Sequence, residues 1–266
     1  MRRRSRLAVV AGLLAAALVA PADADPAVAP ARAGAVIGRT VIGTSVQGRD
    51  LVAYHLGEPG RPGADTVVLI ATMHGNEPAP RQILDALVDG QEVIGLDLWV
   101  VPNYNPDGLA AGTRTNARGV DLNRNFPYQW RDLDGRFESG RRPASEPETR
   151  AVMRFLRRVA PDYILSFHQP FNAVGTDTKS PAFARRVARV LKLPTTRLDC
   201  GGVCTGTMTS WFNHGFDGAA LTVEYGPHPS RRLMRDVAPD QVLRVFSATR
   251  GEVRYEPLSF GAPEAG

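Results

Sequence analysis

Short runs of apolar residues recur along the chain at the length of buried strands. Two of them, TVVLIAT and DLWVVP, lie at Thr66–Thr72 and Asp97–Pro102, and shorter runs lie at Tyr163–Phe167 and Ala220–Val223. A run that is apolar at every position is typical of a strand that is covered on both faces, as in a parallel sheet. The pattern therefore predicts buried strands at these four places.

Between the predicted strands the apolar residues follow a helical spacing. In residues 146–159 they recur three and four positions apart, and Ser145 with Glu148 has the spacing of a capping box at the start of a helix. Further helices are predicted at residues 78–89, 181–191 and 235–249. Strands that alternate with helices predict a single α/β domain with a largely parallel sheet and helices on both faces.

The stretch 103–144 interrupts this alternation. It is long, rich in Arg and Gly, and has little apolar periodicity. A loop of this length inside a compact domain is usually functional. We therefore expect residues of a functional site within it.

The N-terminal residues have the pattern of an export signal. MRRRSR is cationic, Leu7–Ala20 is an unbroken apolar run, and Ala22-Asp23-Ala24 has small residues at the spacing of a cleavage site. The run is shorter than the roughly 20 residues that a membrane-spanning helix needs, although an N-terminal anchor is the alternative. We predict a signal peptide over residues 1–24, cleaved after Ala24, a flexible Pro/Ala lead over 25–35 and a folded domain over 36–266. The mature protein is then expected to be secreted or associated with the cell wall, without a membrane span.

Charge and cysteine content narrow the picture further. The formal net charge of +5 falls to +2 when the four arginines and one aspartate of residues 1–24 are left out. This balance gives no support for a nucleic acid or a membrane surface as a partner. Outside the reducing cytosol, Cys200 and Cys204 are expected to form a small disulfide loop, with two free thiols as the alternative.

A histidine and a glutamate follow the first predicted strand at short spacing. The sequence MHGNEP comes directly after TVVLIAT and places His74 and Glu77 three residues apart. Pro78 disfavours helical backbone at Glu77, so both side chains are expected on a strand-to-helix turn. The carboxyl end of a strand is where open α/β sheets bind ligands. The two residues are therefore a candidate pair of metal ligands.

His168 is the candidate third ligand, because it follows the predicted strand YILSF. In a parallel sheet it would lie at the same edge as His74 and Glu77. Two histidines and one glutamate form a known ligand set for catalytic zinc, in which water takes the fourth position. The pattern favours a site for one zinc ion, and an ordinary polar residue at a strand end is the alternative for His168.

The long loop contains two arginines that stand beside amide side chains. Arg114 follows NPDG at residues 105–108, and Asn123 with Arg124 lies in GVDLNRNFP. The planar guanidinium group matches a carboxylate through two parallel hydrogen bonds. The remaining arginines of the loop are expected to be ordinary solvated residues: Arg118, Arg131, Arg136, Arg141 and Arg142.

The order of these motifs is similar to that of the zinc carboxypeptidase family. HxxE is followed by NPDG, an arginine, GVDLNRNFP, a strand-final SFH and a strand-final TVEYG, and together they cover roughly residues 66–228. The match most resembles the short bacterial branch that includes murein peptide amidases. The resemblance implies a mixed, mostly parallel, twisted sheet in one domain.

The resemblance also implies a role for each site residue. It makes His74, Glu77 and His168 the zinc ligands and Glu224 the general base. It makes Arg114 the electrophilic partner of the scissile carbonyl, and Asn123 with Arg124 the anchor for a substrate carboxylate. The family bends just past the ligand histidine through a cis peptide, so Gln169–Pro170 is predicted to be cis.

The chain departs from the family at one functional position. Digestive members have a mobile Tyr before the catalytic Glu, but the corresponding stretch Cys200–Trp211 contains no Tyr. Within it, residues 206–211 are expected to line the side-chain pocket. They contain no acid, which argues against specificity for Lys or Arg.

The function implied by the resemblance is an exported zinc peptidase that acts on cell-wall (murein) stem peptides. It would cut next to a carboxylate-bearing residue such as diaminopimelate. An ordinary carboxypeptidase on linear peptides is the nearest alternative. An N-acyl amino acid deacylase and a non-catalytic wall-binding protein are the others.

Overall fold

Alternating strands and helices make up the computed structural model, which describes residues 34–198 and 203–251. The strands of these two ranges are β1 (Val36–Thr44), β2 (Asp50–Gly57), β3 (Thr66–Ala71), β4 (Val93–Ile94), β5 (Asp97–Val101), β6 (Tyr163–His168), β7 (Ala173–Gly175), β8 (Thr195–Thr196), β9 (Ala219–Glu224) and β10 (Thr249–Arg250). The helices are α1 (Arg81–Val88), α2 (Pro106–Ala111), α3 (Pro147–Val159), α4 (Pro181–Leu191), α5 (Met208–Gly215) and α6 (Ala238–Val245).

One mixed sheet forms the centre of the described chain. It has eight strands in the order β1-β2-β5-β3-β6-β9-β7-β8, while β4 and β10 form a separate pair. The central strands β5, β3, β6 and β9 are parallel to one another. The strands β2 and β7 pair antiparallel with the outer members of this group. The predicted α/β fold with a mixed, mostly parallel sheet in one domain is therefore confirmed.

Helices cover both faces of the sheet. One buried cluster packs α1, α4 and α6 against strand residues such as Val67, Leu69 and Leu221. The other packs α3 and α5 against Val68, Ile70 and neighbouring side chains of the opposite face. Because both faces are buried, the central strands are apolar at nearly every position. This is why their positions could be predicted from short apolar runs alone.

The central strands end in register at one edge of the sheet. Ala71 of β3 lies beside Phe167 of β6, and His168 of β6 lies beside Glu224 of β9. The segments that follow β3, β6 and β9 therefore start from the same edge. This edge is where the candidate site residues meet.

The start and end of two predicted helices differ from expectation. The capping box at Ser145 is wrong, because α3 begins at Pro147 and no side chain caps its first turn. The Ser145 hydroxyl instead donates to Glu146 Oε1 at 2.7 Å, and Glu148 is fully buried and accepts from the Val46 backbone N–H at 3.0 Å. The predicted helix 235–249 ends at Val245, and the chain then enters β10.

Several predictions lie outside the described residues. These are the signal peptide over residues 1–24, all but the last two residues of the lead over 25–35, and Cys200 of the predicted disulfide. They stay predictions. Among the helices that the structure describes, none is long and apolar enough to cross a membrane.

Candidate metal centre and cleft

The turn that contains His74 and Glu77 is built on a close backbone contact. The segment leaves β3 at Ala71 and makes a turn in which the Glu77 N–H donates to the His74 carbonyl at 3.1 Å. A Cβ atom on Gly75 would lie 1.9 Å from the backbone carbon of Gly108, so only glycine fits here. Gly108 belongs to the NPDG sequence, which therefore supports the turn from behind.

Asn105 of the same NPDG sequence fixes the turn through its side chain. Its amide nitrogen donates to the Met73 carbonyl at 3.2 Å, and its oxygen accepts from the Gly108 N–H at 2.9 Å as the N-cap of α2. Asn105 is fully buried. The motif thus helps to place His74 through the residues on either side of it, Met73 and Gly75.

His168 reaches the same point from the end of β6. The peptide bond Gln169–Pro170 is cis, as predicted. Three potential metal ligands then converge, because His74, Glu77 and His168 each offer a ligand atom within 4.8 Å of the others. All three residues are buried.

The donor set fits zinc. Nδ1 of His74 lies 2.8 Å from Glu77 Oε1, Nδ1 of His168 lies 2.8 Å from Glu77 Oε2, and the two Nδ1 atoms are 3.3 Å apart. Zinc–nitrogen bonds of about 2.0–2.1 Å at a tetrahedral angle require nitrogen atoms roughly 3.3 Å apart. The ligand atoms are of the N and O types that zinc prefers. The residues can therefore hold one zinc ion.

The far side of each imidazole is held by another residue. Nε2 of His74 lies 3.1 Å from Asp121 Oδ1, and Nε2 of His168 lies 2.9 Å from the Ser166 hydroxyl. A hydrogen bond at one ring nitrogen fixes the tautomer and points the other nitrogen at the metal. Both rings are thus oriented with Nδ1 toward the centre.

The electrostatics of the centre favour a bound cation. Burial opposes a positive charge on His74, but Glu77 and Asp121 outweigh it and raise the pKa of this imidazole to about 9. Burial also acts to raise the pKa of Glu77, but His74 and His168 hold the pKa of that carboxyl well below its usual range. The carboxylates of Glu77 and Asp121 thus favour a positive charge in the centre, either a second proton on His74 or a bound metal ion.

Glu224 lies at the end of β9, beside His168. Its carboxylate is buried, and Oε2 accepts from the Phe171 N–H at 3.5 Å. Burial raises the pKa of Glu224, with His168 acting in the opposite direction and Glu77 adding to the rise. A carboxyl group whose pKa is raised holds a transferred proton more readily than an ordinary one.

Arg114 is positioned over the centre by Asp121. Its Nε donates to Asp121 Oδ2 at 3.0 Å, and Nη1 lies 3.4 Å from Glu77 Oε1. Asp121 therefore joins Arg114 to His74. The sequence analysis did not single out Asp121. It lies within the GVDLNRNFP motif, between Arg114 and Asn123 in the sequence, and this position could have indicated a role in the site.

Asn123 and Arg124 form the neighbouring wall. The Asn123 Oδ1 accepts from the Met208 N–H at 3.1 Å, which ties this wall to α5. Arg124 is 3% exposed, and its Nη1 donates to the Asn123 carbonyl at 2.8 Å. Burial lowers the pKa of Arg124, Asp121 opposes this and Arg114 adds to it.

All seven predicted site residues line one cleft of about 500 Å³. The structure therefore brings every one of them together. Thr207 and Thr209 also line the cleft, in agreement with the expectation for residues 206–211. An acid nevertheless reaches the cleft from another segment, because Asp177, two residues after β7, is part of its wall. No local signal in the sequence distinguishes this aspartate.

Two further cleft residues come from the long loop. Arg136 and Phe137 line the cleft, although Arg136 was expected to be an ordinary solvated residue. Arg136 is indeed exposed, as are Arg118, Arg131, Arg141 and Arg142. Among these five exposed arginines of the described loop, Arg136 alone lines the cleft. Arg136 is therefore both exposed to solvent and part of the cleft.

Comparison with known proteins agrees with this site. The sequence profile described as "Zinc carboxypeptidase" matches residues 35–175, more than half of the chain. Murein peptide amidase A of Escherichia coli (strain K12) is 31% identical over 185 residues, which cover 64% of this chain and 76% of that protein.

Solved structures extend the comparison to the fold. The crystal structure of murein-tripeptide amidase from Escherichia coli O157 has a TM-score of 0.62 at 27% identity, and the match covers 76% of this chain and 88% of that one. Carboxypeptidase A from Helicoverpa armigera has a TM-score of 0.65 at 17% identity, with 79% and 68% covered, and shares the fold. With a family match over half of its length and a zinc-binding triad in the cleft, the chain belongs to the zinc carboxypeptidase family and is a zinc metallopeptidase related to murein peptide amidase.

Proposed function

We propose that the chain is an exported zinc peptidase that hydrolyses an amide bond next to a carboxylate-bearing residue in cell-wall (murein) stem peptides. One observation supports this most directly: the metal triad, Glu224, Arg114 and Arg124 all line the same cleft. The related proteins from Escherichia coli are murein peptide amidases by name.

Each of these cleft residues has a separate role in the proposed reaction. A bound zinc ion supplies Lewis acidity and lowers the pKa of a coordinated water. Glu224 takes a proton from the attacking water and passes it to the leaving amine, a transfer that its raised pKa favours. Arg114 donates to the scissile carbonyl oxygen as negative charge develops on it. These roles agree with the arrangement of Glu224 and Arg114 around the triad.

Arg124 determines which bond of the peptide is cleaved. The guanidinium group is buried in the wall of the cleft, where a carboxylate would lose its water and form charge-assisted hydrogen bonds. The residue after the scissile bond would bind in this way through its free carboxylate. Asp177 supports a diamino acid at this place, because a carboxylate in the cleft favours an ammonium group on the bound side chain.

Mass spectrometry of products from a defined peptide panel tests this function. The panel contains a γ-D-glutamyl-diaminopimelate stem peptide, the same peptide with its carboxylate next to the scissile bond amidated, and linear α-peptides with free C-termini. We expect release of the diamino acid from the first peptide and much slower cleavage of the second. Faster trimming of the linear peptides would identify an ordinary carboxypeptidase instead.

Export is tested separately from activity. The N-terminal pattern of residues 1–24 supports it. The full-length chain expressed in a bacterium should appear outside the cytoplasm with Asp25 as its first residue. A chain that keeps Met1 and stays in the cytoplasm would contradict this part of the proposal and leave the peptidase chemistry unaffected.

A further inference from the structure

Three guanidinium groups surround one aromatic ring in the wall of the cleft. The guanidinium carbons of Arg124, Arg136 and Arg114 lie 4.9, 5.6 and 5.8 Å from the centroid of Phe137. A cation within about 6 Å of an aromatic ring is attracted by the ring's charge distribution. The three positive groups therefore lie together around Phe137, in one part of the cleft.

The segment around Phe137 is tied to the metal centre through its backbone. Gly135–Phe137 forms a short 3₁₀ turn, and the Glu138 carbonyl accepts from the Asp121 N–H at 2.7 Å. Asp121 in turn contacts His74 and Arg114. Buried Ser139 closes the segment from behind, with its hydroxyl donating to the Arg131 carbonyl at 2.9 Å. The turn is therefore fixed relative to the reaction site.

The three arginines differ in what neutralises them. Arg114 pairs with Asp121 at 2.9 Å, and Asp121 also interacts with the charge of Arg124. Arg136 is exposed, and no carboxylate of the described residues lies within ion-pair distance of it. It is thus a cation at the cleft that has its charge available for a ligand.

The charge balance of the cleft favours an anionic ligand. Its described lining has three arginines and three carboxylates, those of Glu77, Asp177 and Glu224. A divalent ion on the triad makes this lining net positive. Asp121 lies behind Arg114 and neutralises it, so one substrate carboxylate on Arg124 would balance the net charge. Arg136 would then still have no carboxylate of the described residues within ion-pair distance, and a second substrate carboxylate would give it a partner.

We propose that Arg136 binds a second carboxylate of the substrate, on the residue that precedes the scissile bond. This rests on the proposed function, in which Arg124 anchors the first carboxylate. The substrate class is a glutamyl peptide whose remaining carboxylate is free, in either γ or α linkage. Asp177 would repel an anion, so the second carboxylate belongs with the arginines and not beside that residue.

The dimensions of such a substrate agree with the site. Arg124 and Arg136 lie around the same ring centroid, so their guanidinium carbons cannot be further apart than the sum of their two centroid distances. The two carboxyl carbons of a glutamyl dipeptide are separated by seven bonds and can be roughly 9 Å apart in extended form. Because the charge-assisted hydrogen bond at each end adds its own length, a substrate of this size can span even the largest separation that this limit allows. One substrate can therefore contact both arginines.

The test compares four dipeptides that end in the same diamino acid. They contain γ-D-glutamate, γ-D-isoglutamine, α-L-glutamate or α-L-glutamine before the scissile bond, so each linkage has a charged and a neutral member. The wild-type enzyme is expected to prefer the charged member of a pair in kcat/KM. Arg136→Gln should lower that preference on the order of 3- to 10-fold, mainly through KM, because an exposed charge-assisted contact is of this size.

Arg141→Gln is the matched control, because Arg141 is an exposed arginine of the same loop and does not line the cleft. It should keep the wild-type preference, and Arg136→Lys should keep part of it. Calorimetry in a Glu224→Gln background measures the same preference as a ratio of Kd values without turnover. The linkage that gives the larger preference indicates whether the natural substrate contains γ-linked or α-linked glutamate.

Two results overturn the inference in different ways. An unchanged preference in Arg136→Gln, or a wild-type enzyme that cleaves charged and neutral members equally, removes Arg136 from recognition and leaves the proposed function standing. Cleavage of none of the four dipeptides by the wild-type enzyme overturns the proposed function, and this inference with it.

Discussion

Glu224 and Arg124 are two residues whose proposed roles separate clearly in kinetics. Glu224 lines the cleft beside the triad and makes no hydrogen bond to a metal ligand in the described structure, whereas Arg124 lies in the wall where we propose that the substrate carboxylate binds. Substitution of Glu224 should therefore change the rate of the chemical step. Substitution of Arg124 should change which peptides are bound.

Glu224→Gln should lower kcat by roughly 10²–10⁴-fold while zinc stays bound, because an amide cannot accept the proton of the attacking water. Steady-state kinetics measures kcat, and elemental analysis measures the bound zinc. A variant with full zinc and near-normal kcat would exclude Glu224 as the base.

Arg124→Ala should harm substrates with a free carboxylate by about 2–5 kcal/mol in kcat/KM, since a buried charged contact is lost. The matched substrate is the same peptide with that carboxylate amidated, which should change far less. Equal losses for the two peptides would show that Arg124 has no anchoring role.

At the scale of elements, α2 connects the metal turn with the β1–β2 turn. Asn105 at its N-cap binds the turn before His74, and Asp107 in its first turn binds the segment Ser45–Arg49. The NPDG sequence thus links two turns that are far apart in the chain. Each link gives a prediction of its own.

Asn105→Ala should lower the free energy of unfolding by about 1–3 kcal/mol and also weaken zinc binding, because it releases both Gly108 and Met73. Asn213→Ala is the control. Asn213 also makes two backbone hydrogen bonds, both to Ala220, away from the metal. Thermal unfolding and zinc titration distinguish the variants, and an equal loss of zinc affinity in both would refute a specific role for Asn105.

Asp107 gives the fold a pH-dependent link. Burial acts to raise the pKa of Asp107, but hydrogen bonds from the Gln47 N–H, Arg49 and the Ser45 hydroxyl lower it below its usual value. A lowered pKa means that the ionised group stabilises the fold above about pH 4, and that this stabilisation is lost as pH falls through the folded-state pKa. Asp107→Asn should therefore destabilise the protein by about 1–2 kcal/mol at pH 7. The difference from wild type in denaturant titrations should shrink toward pH 3, and a constant difference across this range would contradict the assignment.

At the scale of the whole molecule, a zinc ion would join segments that start from two different strands. Ligands that bind only the folded state stabilise it by about 2.7 kcal/mol at 100 times Kd. For a domain of this size that corresponds to a Tm increase of roughly 5–10 °C. Chelation should reverse the increase in the wild type and in Glu224→Gln, and His168→Ala should show no zinc-dependent change. An identical shift in His168→Ala would place the zinc elsewhere.

Prediction from the sequence succeeded where the signal is local. The central strands are apolar throughout, and the site residues stand next to strand ends or within dense motifs. The half-buried strand β1 was missed, because exposed residues such as Ile37 and Val41 alternate with others and with glycines. Helix α5 was missed as well, because it has only eight residues and its N-cap Thr207 had been assigned to the pocket lining.

Contacts between distant segments could not be predicted where neither segment carries a recognisable motif. Asp177 and Phe137 enter the cleft only because the chain folds back there, and neither stands in a distinctive local sequence. The NPDG sequence stood out as a motif of the long loop, but it begins helix α2, and its function depends on the approach of Gly75 to Gly108. Such an approach is a property of two segments together and leaves no trace in either one alone.

The pairing of His168 with Glu224 has a consequence for how this enzyme can vary. The two side chains stand on adjacent strands at the same level, so their separation is set by the spacing between hydrogen-bonded strands, about 4.8 Å. Loops around the cleft can lengthen, shorten or exchange residues without altering the distance between His168 and Glu224. Inserting or deleting one residue in β6 or β9 would turn one of the two side chains to the opposite face of the sheet. Substrate range can therefore diversify through the loops, while the length of these two strands is held constant.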